Sequence, residues 1–311
     1  MNARPMRDEL LEQIWKGMKT DDKIFFVAAD FGSPVLDKIR ADFPDRFVNV
    51  GIAEQNMVNV TAGLALEGYK VFAYAIAPFV TMRCYEQVRT NLALLSTVRK
   101  MNVTLIGVGA GFSYVVSGPT HQSFEDITLM RMLPEATVYS PSDHLMAGAL
   151  FDACAQQDGL KYVRLDVQSL VPLPEVSSVA RGFDVRQEGN DVCLIATGFM
   201  VHTSLAVAAK REERAVGVID LFNLSSFDEA ALVEEIKKYR FILSLEEAFQ
   251  GAGGLDALIL NLIAKYNLNV RFVPIGLPRR YSFELGSRAQ LHALAGIDEV
   301  TIIKKLYEIA G

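Results

Sequence analysis

The sequence is poor in the features that mark secreted, membrane-spanning or nucleic-acid-binding chains. Its 311 residues contain only three cysteines, Cys84, Cys154 and Cys193. They are odd in number, widely spaced and set in apolar or helical-looking sequence, which predicts reduced, buried thiols and not a disulfide framework. No run reaches the roughly 18 uninterrupted apolar residues of a membrane span. The opening stretch, Met1-Asn2-Ala3-Arg4-Pro5-Met6-Arg7-Asp8, has no apolar signal-peptide core. Positive charge is not in excess: 31 Lys and Arg against 37 Asp and Glu give a net charge of -6, mixed along the chain. With no basic patch interleaved with aromatics, neither nucleic acid nor an anionic membrane is an expected partner. Low-complexity tracts and internal repeats are also missing. These absences predict a soluble, cytoplasmic protein.

What is present is apolar sequence in short pieces. The chain is 50% hydrophobic and only 22% charged, enough for two cores, since single cores rarely grow past roughly 250 residues. Ile24-Phe25-Phe26-Val27-Ala28-Ala29, Val71-Phe72-Ala73-Tyr74, Val103-Thr104-Leu105-Ile106-Gly107-Val108 and Thr137-Val138-Tyr139 read as strands. Helical stretches lie between them at 34–42, 54–66, 79–95 and 143–154. Strands without polar alternation are covered on both faces, as in a parallel sheet flanked by helices. After Arg164 the rhythm breaks, and residues 167–190, with Pro172 and Pro174, read as a surface connector. A second series then places strands at 192–196, 215–219, 241–245 and 270–273, and helices at 201–209, 229–238, 254–266 and 299–309. The expected fold is α/β, with two domains at 1–178 and 179–311, each holding a mainly parallel sheet flanked by helices.

Three constellations carry chemistry. Gly51-Ile52-Ala53-Glu54-Gln55-Asn56-Met57 follows the apolar run Phe47-Val48-Asn49-Val50. It sets a carboxylate at a helix start on the carboxyl edge of a parallel sheet, where ligands of open α/β sheets sit. Alone, Glu54 reads equally as a complement to the helix dipole. Ser117-Gly118-Pro119-Thr120-His121-Gln122 presents an imidazole after a Gly-Pro turn, suited to proton transfer near neutral pH; a loop histidine capping the next helix is the competing reading. The stretch from Tyr74 to Gln87, with Phe79 at a strand-to-helix junction, reads by itself as core packing.

Together, in this order, the three patterns resemble the pyrimidine-binding and C-terminal domains of the transketolase and deoxyxylulose-phosphate synthase family, over essentially the whole chain from Arg4. The resemblance implies thiamine diphosphate and Mg2+ as cofactors. It makes Glu54 the glutamate that hydrogen-bonds N1′ of the aminopyrimidine ring and so activates the cofactor, because a carboxyl group in a desolvated cleft can donate to, then accept from, a ring nitrogen. Phe79 matches the aromatic that stacks on that ring, with Ile76 and Met82 beside it. His121 matches the catalytic histidine facing the substrate hydroxyls. Asp30, in Ala28-Ala29-Asp30-Phe31-Gly32-Ser33, matches an acidic residue near the cofactor, and Ser33 a substrate contact. Arg164 and Arg4 match arginines that contact a substrate phosphate in a forked geometry; taken singly, each also reads as a solvated surface charge.

Departures from the family pattern are informative. Relatives bind diphosphate and magnesium through Gly-Asp-Gly and a downstream Asn. No Gly-Asp-Gly occurs in this sequence, and Gly251-Ala252-Gly253-Gly254 lacks the Lys-Ser/Thr of a phosphate loop, reading as a tight helix start. No residue of this chain is therefore expected to ligate the metal. The resemblance implies a partner chain that carries that motif, in an α2β2 assembly. Many transketolases have Asp before Gly-Pro-Thr-His where this chain has Ser117, and loop 109–116 lacks the His or Arg used near an acceptor phosphate. A ketol transfer in a specialised sugar pathway is the expected activity. A pyruvate-decarboxylating carboligase of the deoxyxylulose-phosphate synthase type is the rival, since Glu54-Gln55 and Tyr85-Glu86-Gln87 resemble that branch. The beta subunit of a 2-oxo-acid dehydrogenase shares the first motif but not Gly-Pro-Thr-His-Gln. A non-catalytic assembly or regulatory subunit with the same fold is a further alternative.

Overall fold

The computed structural model describes residues 3–174, 178–211 and 215–310. The first half contains β1 (Arg4–Pro5), α1 (Met6–Met18), β2 (Ile24–Ala28), α2 (Pro34–Asp42), β3 (Phe47–Asn49), α3 (Glu54–Leu66) and β4 (Lys70–Ile76). Next come α4 (Tyr85–Gln87), β5 (Asn102–Val108), α5 (Asp126–Arg131), β6 (Thr137–Tyr139), α6 (His144–Gln156), β7 (Gly159–Leu165) and β8 (Ser169–Leu170). Six of these strands form one sheet in the order β3-β2-β4-β5-β7-β6, with every pairing parallel. Every residue of β2 and β5 is buried, the outcome of apolar runs packed by helices on both faces. Side-chain caps start the helices sharply: Ser33 Oγ accepts from Leu36 N (3.2 Å) at α2, and Asp143 Oδ1 from Met146 N (2.8 Å) at α6.

The second half holds β9 (Phe183–Gln187), β10 (Val192–Ala196), α7 (Met200–Ala209), β11 (Val216–Leu221), α8 (Glu229–Ile236), β12 (Phe241–Phe249), α9 (Leu255–Lys265), β13 (Arg271–Leu277), α10 (Arg288–Ala295) and α11 (Glu299–Ala310). Its sheet runs β13-β12-β10-β11-β9, parallel except for the antiparallel edge strand β9.

Two local expectations change. The connector 167–190 is not all irregular: β8 pairs with β1, and β9 edges the second sheet. In β9 only Phe183 is fully buried, and polar Asp184 and Arg186 alternate with it, so a five-residue edge strand shows no apolar run. Residues 175–177 of that connector lie outside the described residues. The helix expected over 79–95 is wound as π turns at Phe79–Arg83 and Val88–Leu94, on either side of α4. Such widened turns gather at functional positions in helices.

The two halves share a core. Ile127, Met130 and Leu133 pack in one cluster with Leu224, Leu255 and Leu258. Arg131 crosses between them, donating to the carbonyls of Leu224 (3.0 Å), Gly253 and Gly254 (both 2.6 Å). Deeper still, Arg288 of α10 donates through Nε to Glu247 Oε1 of β12 (2.9 Å), through Nη2 to Glu247 Oε2, and through Nη1 to Asp166, just past β7. All three side chains are at least 94% buried. Burial pushes the Glu247 carboxyl up, but Arg288 and His292 overcome it and hold the group well below the usual carboxylate range.

The neighbouring Glu246 behaves oppositely. Burial pushes its carboxyl up to about 7, although it accepts from Leu255 N (2.8 Å) and Asp256 N (3.0 Å) at the start of α9. A carboxyl raised on folding contributes stability that is complete below its unfolded pKa and is lost as pH rises through the folded one. Stability should therefore fall between about pH 5 and 7.5 in the native chain and fall less in Glu246→Gln. Urea unfolding at stepped pH measures this, and identical slopes in the two proteins would remove Glu246 as the source.

Candidate active site

The carboxyl edge of the first sheet gathers the residues singled out by motif. β3 ends at Asn49, whose Oδ1 accepts from Asp30 N and from Gly51 N, both at 3.0 Å. Asn49 Nδ2 returns a bond to Asp30 Oδ1 (3.2 Å). This side chain ties the loop after β2 to the turn that leads into α3. Asp30 itself is exposed and takes a left-handed conformation (φ 46°), one that Asp tolerates better than most residues. Glu54 then opens α3, only 2% exposed, and its Oε2 accepts from Arg83 Nη1 at 2.7 Å.

Arg83 closes the π turn that begins at Phe79. The turn is braced by Thr81 Oγ1 donating to Ala77 O (2.7 Å) and by Cys84 Sγ to Val80 O (3.0 Å). Phe79 and Arg83 share a face, and the guanidinium carbon lies 4.3 Å from the Phe79 ring centroid, a cation–π contact. The same ring meets His121 edge-on, with centroids 5.4 Å apart at 70°. Tyr114 closes on His121 from elsewhere in the loop, at 6.1 Å and 77°. His121 Nδ1 lies 3.0 Å from Thr120 Oγ1, leaving Nε2 without a partner among the described residues. Glu54, Arg83, Phe79, His121 and Tyr114 thus form one contiguous group, drawn from all three sequence patterns.

The histidine is seated by a closed loop. Gly111 and Ser123 exchange backbone hydrogen bonds (3.0 and 3.3 Å), and His121 N bonds Gly118 O at 3.1 Å. Gly118 takes φ 69° at the Gly-Pro turn. Gly111 takes φ 57°, and a Cβ there would lie 2.1 Å from Glu247 Oε2, so the loop lies directly against the buried ion cluster. Within this loop Ser113 Oγ, Ser123 Oγ and both polar atoms of Gln122 are buried with no hydrogen-bond partner. Concentrated hydrogen-bonding capacity of this kind calls for an explanation, and an incoming polar ligand or chain supplies one.

The other predicted positions divide. Ile76 ends β4 and Met82 flanks Phe79 along the chain, partly exposed. Ser117 is exposed beside the histidine turn. Ser33, expected as a substrate contact, is 7% exposed, and its Oγ accepts from Leu36 N as the α2 cap. Arg4 is paired with Glu9 and with Glu12 (3.8 Å), so its charge is answered by α1 and not held open for an anion. Arg164, expected as a phosphate contact, is buried, and Asp126 grips it through Nε (2.9 Å) and Nη2 (3.2 Å), while Nη1 lies 3.4 Å from Ser140 Oγ. Sequence reasoning missed Arg83, although its four-residue spacing from Phe79 was there to be read, and it missed Asn49 and Tyr114. Arg164→Leu is expected to lower unfolding free energy by roughly 3–5 kcal/mol, because it strands the buried Asp126 carboxylate. Denaturant unfolding tests this; full stability with a raised KM would restore the phosphate-contact reading.

Comparison with known proteins gives the family. Residues 4–171 match the model of the transketolase pyrimidine binding domain, and residues 182–302 that of the transketolase C-terminal domain. The chain is 31% identical to a subunit of the apulose-4-phosphate transketolase of Actinobacillus succinogenes, covering 97% of each chain. It is 28% identical to the 6-deoxy-6-sulfo-D-fructose transketolase subunit SqwH of a Clostridium species, over 98% of this chain and 94% of that one. Among solved structures it superposes on a split-gene transketolase, described as an inactive beta4 tetramer, with a TM-score of 0.86 and 26% identity over 99% of this chain and 98% of that one. The chain belongs to the transketolase family, whose members depend on thiamine diphosphate, and it matches single subunits of split transketolases along nearly its whole length.

Proposed function

We propose that this chain is the pyrimidine-binding and C-terminal subunit of a split, thiamine-diphosphate-dependent enzyme that transfers a two-carbon ketol unit from a ketose to an aldose. The observation that carries the reading is the juxtaposition of a buried carboxylate, an aromatic face and a histidine: Glu54, Phe79 and His121 around Arg83. The pyrimidine-binding unit in this reading is 1–178 and the C-terminal unit 179–311.

The residues fit one end of the cofactor. Glu54 would hold a proton against N1′ of the aminopyrimidine, and Phe79 would offer its face to that ring, with Ile76, Met82 and Asp30 around it. The other end finds no anchor here: the sequence holds no Gly-Asp-Gly, and among the described residues no group of three or more His, Cys, Asp or Glu side chains could hold a metal. Magnesium and diphosphate are therefore assigned to a partner chain in an α2β2 assembly, consistent with relatives that are themselves named as subunits. Among the described residues no helix is long and apolar enough to cross a membrane; a cytoplasmic location belongs to the same proposal.

Thiamine diphosphate, when bound, would supply the carbon nucleophile and the electron sink for the transfer. This chain's residues handle protons around it. Glu54 exchanges one with the ring nitrogen, and His121 gives and takes one at Nε2, with its ring position held by Thr120, Phe79 and Tyr114. Recognition of the sugar rests on Ser117 and His121. With Arg164 buried against Asp126 and Arg4 paired with Glu9, neither arginine is free to clamp a phosphate. Relatives named for apulose 4-phosphate and 6-deoxy-6-sulfo-D-fructose support a specialised sugar pathway.

Glu54→Ala is expected to cut turnover of the reconstituted complex by about 10²-fold or more while the complex still assembles. Size-exclusion chromatography and a coupled ketol-transfer assay read both quantities. Unchanged turnover would make the chain a scaffold, and carbon dioxide release from pyruvate without ketol transfer would make it a carboligase.

A further inference from the structure

Arg83 stands where two assignments of the proposed function converge. Its Nη1 donates to Glu54 Oε2 at 2.7 Å, the carboxylate assigned to the ring nitrogen. Its guanidinium carbon lies 4.3 Å from the centroid of Phe79, the ring assigned to the stack. A planar group that both bonds Glu54 and lies on Phe79 makes the two contacts assigned to the aminopyrimidine. The guanidinium is itself planar and a hydrogen-bond donor, so it serves both neighbours in the way the ring would.

We propose that Arg83 is a displaceable guard of the pyrimidine site: it holds both contacts assigned to the ring and must release Glu54 and Phe79 before the cofactor's ring can enter. The inference rests on the proposed cofactor. Exposure supplies the way out. Glu54 is 2% exposed whereas the Arg83 side chain is 44% exposed, so the arginine approaches from the open side and can swing back into solvent. Its own side-chain torsions supply the freedom, because the π turn that Arg83 ends is braced at Thr81 and Cys84 and need not move. The guard also shields the two side chains, since it gives a buried carboxylate a counterion and covers an aromatic face that would otherwise meet water.

If binding must first displace the guard, apparent affinity is reduced by the fraction of chains in which the site is open. The test is isothermal titration of thiamine diphosphate, with Mg2+ present, into the complex reconstituted with the diphosphate-binding partner. Arg83→Met keeps the length of the side chain without its charge and is expected to bind roughly 3- to 10-fold more tightly than the native complex. Arg83→Lys, which retains the charge, is expected to stay near the native value. Unchanged or weaker binding in Arg83→Met would overturn the guard, the second outcome making Arg83 a contact of the bound cofactor. A readout on the native protein needs no variant to fold: phenylglyoxal labelling of Arg83, followed by peptide mapping, should rise on cofactor binding. A fall would overturn the proposal. A native complex that binds no thiamine diphosphate overturns the cofactor reading, and the guard with it, and is distinguishable from these outcomes.

Discussion

The buried charge cluster at the junction of the two sheets is the constraint on which the site depends. Arg288 bridges Glu247 of β12 and Asp166 at the end of β7, so one guanidinium from α10 locks the second sheet to the first. Pairs like this are retained at a desolvation cost, and a packed apolar contact would often be at least as stable. What the cluster provides here is position. Loop 109–123 lies against Glu247 at Gly111, where only a glycine fits, and that loop carries both Tyr114 and His121. The distance from His121 to Phe79 is therefore set by contacts reaching into the second half of the chain. A pyrimidine-binding unit without its C-terminal unit would lose the surface on which its histidine loop is seated.

Electrostatics elsewhere follow a second logic, in which each buried carboxylate is met by an arginine. Asp126 takes Arg164, Asp220 takes Arg186 and Glu54 takes Arg83. The first two pairs have both members almost wholly buried and serve the fold. The third differs because its arginine is 44% exposed, so the carboxylate can change partners without opening the core. Exposure therefore sets this pair apart from the other two more clearly than distance does, since all three are within 3.0 Å.

Much of this was visible in the residues. The strands of both sheets were legible because a strand covered on two faces is largely apolar, and β2 and β10 are so throughout. Helix α3 was legible from the turn at Gly51 through the acidic start at Glu54. Where the signal was short or mixed, it failed: β9 alternates polar and apolar residues on an edge, and the π turns at Phe79–Arg83 and Val88–Leu94 depend on a hydrogen-bond pattern that composition does not encode. The arginines show the limit most clearly. Arg4, Arg83 and Arg164 have the same side chain, but whether each faces an anion from outside is decided by which carboxylate already holds it.

The sequence by itself determined the two α/β units, the family motifs around Glu54, Phe79 and His121, and the lack of a Gly-Asp-Gly anchor, because periodicity and local motif are properties of neighbouring residues. The tertiary structure alone decided that those three side chains meet, that Arg83 lies between them, and that Arg164, Ser33 and Arg4 are committed elsewhere. Each of those facts depends on partners distant along the chain, brought together only when the sheets twist, the loops close and buried charges find counterions.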